Sequence, residues 1–556
     1  MNQQWYLGLD ISTSHLSAVL INGDRQQQYP LFWQNGDQQQ FSLPMTVTAS
    51  DSLSQPWQIA VESGLVSGKT LNGWLPFLRL APTYQAEVDG TWLPTLPWST
   101  PPELPLKSLS DALVFLLCVL RDRSVVSELS PTRVRDIFGR LAGVIVSLPS
   151  NWGDTYRLNI REVLRQVSLV NRGEQVLFVS GAIATLLGFQ AQLPHTEGGT
   201  LIIHSDESHT DLAVVDLPSY LPQLKASQIH SHSFDYGGSA LQQDILCQLI
   251  YPQWLPQLQD ALSKLAKIMP RAGEIDLERR LLAAWQWRNS PVGRSLLQAA
   301  NQTKMLLQQR AEFAAHLGQQ EWRVIRPELE RKVIYPFQQQ LNQQINHLFA
   351  KAGVMSQGIQ QIICSGSNFE YCDQWLTASL QQKFPQAELI RNTAPSQISR
   401  IAVGLGLVPL MPQVIDNDRH RYHDYFLLGI LLKILPSEPF RLDTLHRLFQ
   451  AEGINDRNFG DRLQGLLFSQ RPAGLAPELD EQQGNVFRQY PMGNTPATAL
   501  CWQDDDGFYH LNEAQRDHFL EFWGYLQQSY DIEILEPYGL PFGRSPLQLS
   551  SPDVPR

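Results

Sequence analysis

Cysteine is scarce in this chain of 556 residues. The five present, Cys118, Cys247, Cys364, Cys372 and Cys501, are scattered, odd in number and never spaced as CxxC, so neither a disulfide framework nor a zinc knuckle is supported. Long apolar runs are missing too. Stretches such as Tyr425 to Leu435 fall far short of the ~20 residues needed to span a bilayer. The opening MNQQWYLGLD has no basic region followed by an apolar one, so no signal peptide is expected. Positive charge is in deficit, with 43 Lys and Arg against 54 Asp and Glu and a formal net charge of −11. That excess of carboxylates argues against a chain-wide electrostatic grip on nucleic acid or anionic lipid. These absences predict a cytoplasmic protein with no membrane span and no nucleic-acid partner.

What is present reads as a folded α/β protein. Hydrophobic residues make up 43% and charged ones 17%, enough to bury sizeable cores. Trp5 to Asp10 predicts a strand, Ile11 to Ser14 a turn, and His15 to Asn22 a second strand. The Gln-rich segment Gln26 to Gln40 and the Pro-rich segment Pro82 to Pro105 predict loops and short edge elements. Ser108 to Arg121 is helical, with Leu109, Leu113, Leu116 and Leu120 on one stripe. Strands at Gly143 to Leu148, Gln175 to Val179, Thr200 to Ile203 and Asp211 to Leu217 alternate with helices at Thr155 to Leu169 and Gly181 to Phe189. The middle, about Ser239 to Leu348, predicts mostly helix. A strand at Ile359 to Cys364 precedes helices at Tyr371 to Lys383 and Ala402 to Leu410. No internal repeat of fixed period is visible.

The order of the turns is more specific than any one of them. GLDISTS (Gly8 to Ser14), GVIVSLPSNWGDTYR (Gly143 to Arg157), VSGAIATLLGF (Val179 to Phe189), TLIIHSDESHTDLAVVDL (Thr200 to Leu217), SFDYGGSALQQDI (Ser233 to Ile245), IICSGSNFEYCDQWL (Ile362 to Leu376) and ISRIAVGLGLVP (Ile398 to Pro409) follow one another along the chain. In that order they resemble the nucleotide-binding domain of the heat-shock protein 70 (DnaK-type) chaperones, within the actin-like ATPase superfamily. The resemblance runs from Tyr6 to Pro412. It implies a two-lobed actin-like (ribonuclease H-like) fold over 1–412, with lobe I at about 1–199 and 396–412. Lobe II would span about 200–395, with a helical subdomain at about 239–348.

In that family two hairpin loops clamp phosphates through backbone N–H groups, carboxylates hold magnesium, and a glutamate and a lysine assist in-line attack. The resemblance carries Asp10 and Asp211 over as candidate catalytic carboxylates. It carries Ser12, Thr13 and Ser14 over to the first phosphate loop, with Ser12 where glycine is usual, and Thr210 to the second. Gly237 and Gly238 match the helix start facing the diphosphate, Lys304 the ribose-facing helix, and Gly366 and Ser367 the adenosine motif. Asp10 could equally cap a turn, and the paired glycines could equally serve a tight one.

The departures are as informative. Where the family has Asp-Leu-Gly-Gly-Gly-Thr-Phe-Asp, this chain has His204 to Asp211, HSDESHTD, with no glycine and with Asp206 and Glu207 where phosphate would sit. Two unit charges 4 Å apart repel by ~4 kcal/mol at an effective dielectric of about 20. Ser180 replaces the family glutamate and Phe369 the arginine that stacks on the base. Lys69 and Arg79 lie near the place of the catalytic lysine without matching it. His204, Asp206 and His209 could be read as a metal cluster, but three polar residues on an exposed turn are more simply solvated. Mg-ATP or Mg-ADP is therefore expected to bind weakly at best, and the frame reads as a pseudo-ATPase.

After Pro412 the family's linker, peptide-gripping β-sandwich and lid are missing. His420 to Ile434, Leu442 to Gln450 and Arg457 to Phe468 predict helices. Cys501-Trp502 and Phe508 to Leu511 predict the two strands of a wing, and Glu513 to Tyr530 a last helix. A winged-helix-like module over 413–556 follows. Its third helix carries Arg457, Asp461 and Arg462 in acidic surroundings, which favours a protein partner over DNA. The predicted function is a chaperone-like adaptor or scaffold with little or no ATPase activity. The alternatives are an active divergent chaperone ATPase and a nucleic-acid-binding regulator.

Overall fold

A computed structural model of the chain describes residues 4–49, 57–59, 70–83, 105–193, 198–253, 269–288, 291–317, 320–391, 398–454, 460–468, 472, 474–480, 484–486 and 499–542. It is mixed α/β, with two five-stranded paths at its centre.

The first path begins with β1 (Trp5–Ile11), β2 (His15–Asn22) and β3 (Gln27–Pro30). Helix α1 (Leu106–Arg123) buries the leucine stripe Leu109, Leu113, Leu116 and Leu120 completely. Next come β4 (Gly143–Leu148), α2 (Asp154–Gln166), β5 (Val176–Ser180) and α3 (Gly181–Phe189). β1 pairs antiparallel with β2 and parallel with β4, giving the order β5-β4-β1-β2-β3. β1 and β4 are buried along their whole length, as strands covered on both faces must be.

The second path repeats that order. It comprises β6 (Gly198–Ser205), β7 (Thr210–Leu217) and β8 (Ile229–Phe234), then α4 (Gly238–Ile245), α5 (Leu277–Arg288) and α6 (Pro291–Leu306). A hairpin, β9 (Glu312–Leu317) with β10 (Gln320–Ile325), precedes α7 (Tyr335–Ala352), β11 (Ile359–Ser365), α8 (Asp373–Lys383) and β12 (Glu388–Arg391). The sheet runs β8-β7-β6-β11-β12, again third, second, first, fourth, fifth. The duplication lies in topology, where no sequence repeat of fixed period marks it.

Between the sheets, α3 crosses α9 (Arg400–Leu405). A Cβ on Gly404 would come 1.8 Å from the Ala184 carbonyl oxygen, and one on Gly188 2.1 Å from that of Arg400. The small residues of both helices thus let their backbones touch. Ala182, Ala184, Ala402 and Leu405 join Ile145, Ile202 and Ile363 in one core there.

Three segments differ from expectation. The middle region, predicted as helix, contains the β9–β10 hairpin: Trp322 and Val324 point inward while Arg323 points out, and Phe313 packs edge-on against Trp322. That alternation has the period of a strand. The helix predicted from Tyr371 breaks at Cys372, whose backbone (φ −135, ψ 17) is not helical. The helix predicted from His420 is split as well. A short turn at Asn417–Arg421 precedes α10 (Asp424–Ile434), whose N-cap is His423.

The C-terminal part continues through Phe440 into α11 (Leu442–Ala451), α12 (Gly460–Leu467), the strands β13 (Cys501–Gln503) and β14 (Tyr509–Leu511), and α13 (Glu513–Ser529). β13 and β14 pair antiparallel, as the sequence predicted. Phe440 and Tyr509 exchange backbone hydrogen bonds at 3.0 and 2.7 Å. This part docks on α2 through buried charge. Asp154 accepts from Arg157 and Arg419, each at 3.0 Å, and Arg462 Nε reaches Asp424 Oδ1 at 3.0 Å. Burial pushes the Asp154 carboxyl up, but Arg419, Arg157 and Arg462 together hold it well below the usual carboxylate range. Tyr530 donates to Asn159 Oδ1 at 2.8 Å across the same joint.

Candidate functional site

The two hairpins that open the sheets meet in the cleft between them, and their turns are the same length. In the first, Ser12 N donates to the His15 carbonyl at 2.9 Å, leaving Thr13 and Ser14 between. In the second, Asp206 N donates to the His209 carbonyl at 3.0 Å, leaving Glu207 and Ser208. None of these residues has a positive φ, so neither turn needs glycine for its own backbone. The missing glycines of the second loop are thereby explained locally.

Asp10 is buried at the end of β1. Ser147 Oγ donates to its Oδ1 at 3.0 Å, Ser399 Oγ to its Oδ2 at 2.7 Å, and His15 Nε2 lies 3.4 Å from Oδ2. Burial raises this carboxyl, yet the His15 hydrogen bond and charge, with Ser399 and His204, bring it below the ordinary carboxylate value. Asp211 is wholly buried on β7. It accepts from Gly181 N at 3.1 Å and Ser150 N at 3.4 Å, and His209 Nε2 stands 3.5 Å from its Oδ2. Burial lowers His209, but Asp211 and Asp206 outweigh it and raise its pKa. His204 is shifted down by burial and gives or takes a hydrogen bond with Ser365 Oγ at 2.8 Å.

His204, Asp206 and His209 are buried, not on an exposed turn as the sequence suggested: Gly181 and Ser365 lie against His204, Gly237 against the Asp206 and His209 backbone, and Trp152 against the His209 ring. Among the described residues no group of three or more His, Cys, Asp or Glu is arranged to hold a metal ion.

Several of the other sequence-selected residues have structural partners, though Thr13 Oγ1 and Ser367 Oγ have none among the described residues. Ser12 Oγ bonds His15 Nδ1 at 2.8 Å, and Ser14 Oγ lies 3.1 Å from the same nitrogen. Thr210 Oγ1 donates to the Tyr236 carbonyl at 2.8 Å. A Cβ on Gly237 would stand 2.2 Å from the Asp206 carbonyl oxygen, so that glycine is needed for the second turn to approach. Gly366 has φ +96, and its Cβ would stand 2.2 Å from the Ser205 carbonyl oxygen. The first N–H groups of α4 are taken: Gly238 N donates to the Asp206 carbonyl at 2.9 Å and Ser239 N to that of Glu207 at 2.8 Å. Lys304 is fully buried on α6, Ser367 heads a short helix, and Phe369 lies in the core of the second half. Ser180 is the N-cap of α3, accepting from Ile183 N at 3.2 Å. Lys69 and Arg457 lie outside the described residues.

Sequence reasoning missed the residues that bridge the cleft. Asp235 is the hub: Arg79 Nη1 donates to it at 2.9 Å, Asn151 Nδ2 at 3.0 Å and Trp152 Nε1 at 3.3 Å. Ser150 N donates to Ser233 Oγ at 3.0 Å. Higher up, Arg288 of α5 donates to the Gly73 carbonyl at 3.1 Å and to Ser239 Oγ at 2.9 Å. The sequence signal was local, Ser231, Ser233 and Asp235 just ahead of Gly237-Gly238, and no local pattern pairs them with Arg79 and Trp152.

What remains of the cleft is a cavity of about 50 Å³, lined by Thr13, Arg79, Glu207, Asp235 and Arg288 among others. Small-molecule sites usually measure about 300–1,000 Å³. A nucleotide diphosphate with magnesium does not fit this arrangement, since the helix N–H groups are occupied and Glu207 adds a carboxylate. No family model matches the chain, and no curated protein matches it.

Proposed function

We propose that the chain is a heat-shock-70-like protein on the actin-like ATPase fold, working as a chaperone-like adaptor or scaffold for a protein partner and not as an efficient ATPase. The duplicated sheet order, with two small-residue helices crossing between the sheets, supports the fold assignment. One observation carries the functional reading: the cleft is bridged directly at Asp235 and Arg288, leaving about 50 Å³.

The C-terminal order of helix, short strand, helix, helix and hairpin is winged-helix-like, with Phe440 as the short strand paired to Tyr509. Arg462 of its third helix points into the joint with Asp424, which removes that cation from a surface that would read DNA. This supports a protein partner.

Thermal-shift titration with Mg-ATP and Mg-ADP tests the cleft. Ligand at 100 times Kd stabilises by ~2.7 kcal/mol, and no shift is expected. A phosphate-release rate that Asp10→Ala abolishes would sink the pseudo-ATPase half. The adaptor half is tested by affinity purification from the native host, followed by reconstitution of the complex from purified components. Failure to reconstitute any complex would overturn it.

A further inference from the structure

Glu207 sits where three features converge. It lines the cavity from the second turn, and a Cβ built on Gly238, the first residue of α4, would lie 2.9 and 3.0 Å from its two carboxylate oxygens. The first N–H groups of α4 are taken by the Asp206 and Glu207 carbonyls, so what the helix start adds there is its dipole alone. Facing it across the cavity is Arg288, which donates to carbonyls and a hydroxyl and makes no ion pair among the described residues. The other two arginines of the cavity wall are already matched, Arg79 by Asp235 and Arg280 by Asp244. Burial lowers the Arg288 pKa while the Glu207 charge opposes that. Lys304 and Glu207 also act, in opposite directions, on the Cys372 thiol, which burial pushes up to about 11.

Hydrogen-bonding capacity is left over on the opposite wall. Thr13 is only 8% exposed and lines the cavity, yet its Oγ1 has no partner among the described residues. Arg79 Nη2 is buried without an acceptor. Uncommitted donors and a guanidinium without an ion pair among the described residues, set around one small space, form the wall of an oxyanion site.

We propose that the Glu207 carboxylate is a built-in occupant of a latent oxyanion site, and that the cavity takes a phosphate-type anion only when that negative charge is removed. The idea rests on the reading of the cleft as a disabled phosphate clamp and deepens it, by naming the group that disables it and the ligand class that would return.

The experiment is calorimetric titration of the full chain with inorganic phosphate and with pyrophosphate. It compares wild type, Glu207→Gln, and Glu207→Gln combined with Arg288→Gln. Wild type is expected to show no binding. Glu207→Gln, which keeps the side-chain shape, is expected to bind on the order of a thousandfold more tightly, as loss of one close like charge implies. The double variant should lose that gain. Equal binding by wild type and Glu207→Gln, or a gain that survives Arg288→Gln, would overturn the proposal. Should Glu207→Gln fold poorly, Glu207→Ala with the same titrations replaces it, and failure of both to bind also overturns it. ATP turnover by wild type would defeat the pseudo-ATPase reading and is measured separately, so the two failures are distinguishable.

Discussion

The two halves of the cleft are built to one plan and used differently. Both sheets run third, second, first, fourth, fifth, and both open with a two-residue turn between matched strands. Position by position, Thr13 of the first turn corresponds to Glu207 of the second, and His15 to His209. Each histidine stands against a buried aspartate, Asp10 or Asp211. The first turn leaves a hydroxyl free toward the cavity, while the second brings a charge and lends its carbonyls to α4. The symmetry belongs to the backbone, and the asymmetry lies in the side chains that face the cavity.

The helices after the fourth strands sharpen the contrast most. α2 opens with Asp154, 1% exposed among three arginines, and α8 opens with Asp373, 36% exposed beside Arg391. Asp154→Ala is expected to cost about 3–5 kcal/mol, because it strands buried cations. Asp373→Ala is expected to cost under ~1 kcal/mol. Chemical denaturation of both variants checks this, and equal losses would break the comparison.

The crossing of α3 and α9 joins the halves. Gly404→Ala is expected to destabilise by ~3 kcal/mol, since its methyl meets backbone that cannot yield. Thermal melts that show no change would mean the helices can separate.

Acid should loosen the first half's joint with the C-terminal part. Burial, aided by Arg161, pushes His420 down to about 4 and His423 to about 3. Each folded value lies below the unfolded ~6.5, so their neutral forms favour folding: stability is full above pH ~6.5 and is lost toward pH 4. The loss is roughly 3 kcal/mol per histidine, read as a falling Tm and as earlier proteolysis near 413–424. A flat Tm across that window would refute it.

The smallest effect compares two threonines. Thr210→Val should cost about 1–2 kcal/mol by stranding the Tyr236 carbonyl. Thr13→Val should change stability by under ~0.5 kcal/mol, because Oγ1 has no protein partner among the described residues. Urea midpoints of the pair decide the matter.

Much of the frame was legible in the chain. Alternating strands and helices, the leucine stripe of α1 and the small residues of Val179 to Phe189 and Ile398 to Pro409 carry their own periodicity. The β9–β10 hairpin was not read, since Phe313 and Trp322 are decisive only once they pair. The site was half legible. Asp10 and Asp211 were marked, but Ser147, Ser399, Ser233 and Asp235 were not, because their partners lie 83 to 389 positions away in the chain.

Sequence alone determined most of the strands and helices, because local periodicity and turn chemistry act over a few residues. It also determined that the turn between Ser205 and Thr210 carries two carboxylates and no glycine. Only the tertiary structure decided that the two sheets share one order, that Gly237 and Gly366 serve close backbone approach, and that the cleft is bridged. Those outcomes depend on which distant atoms meet in space, and the energies that select them, burial and the pairing of buried charge, exist only after the chain has closed on itself.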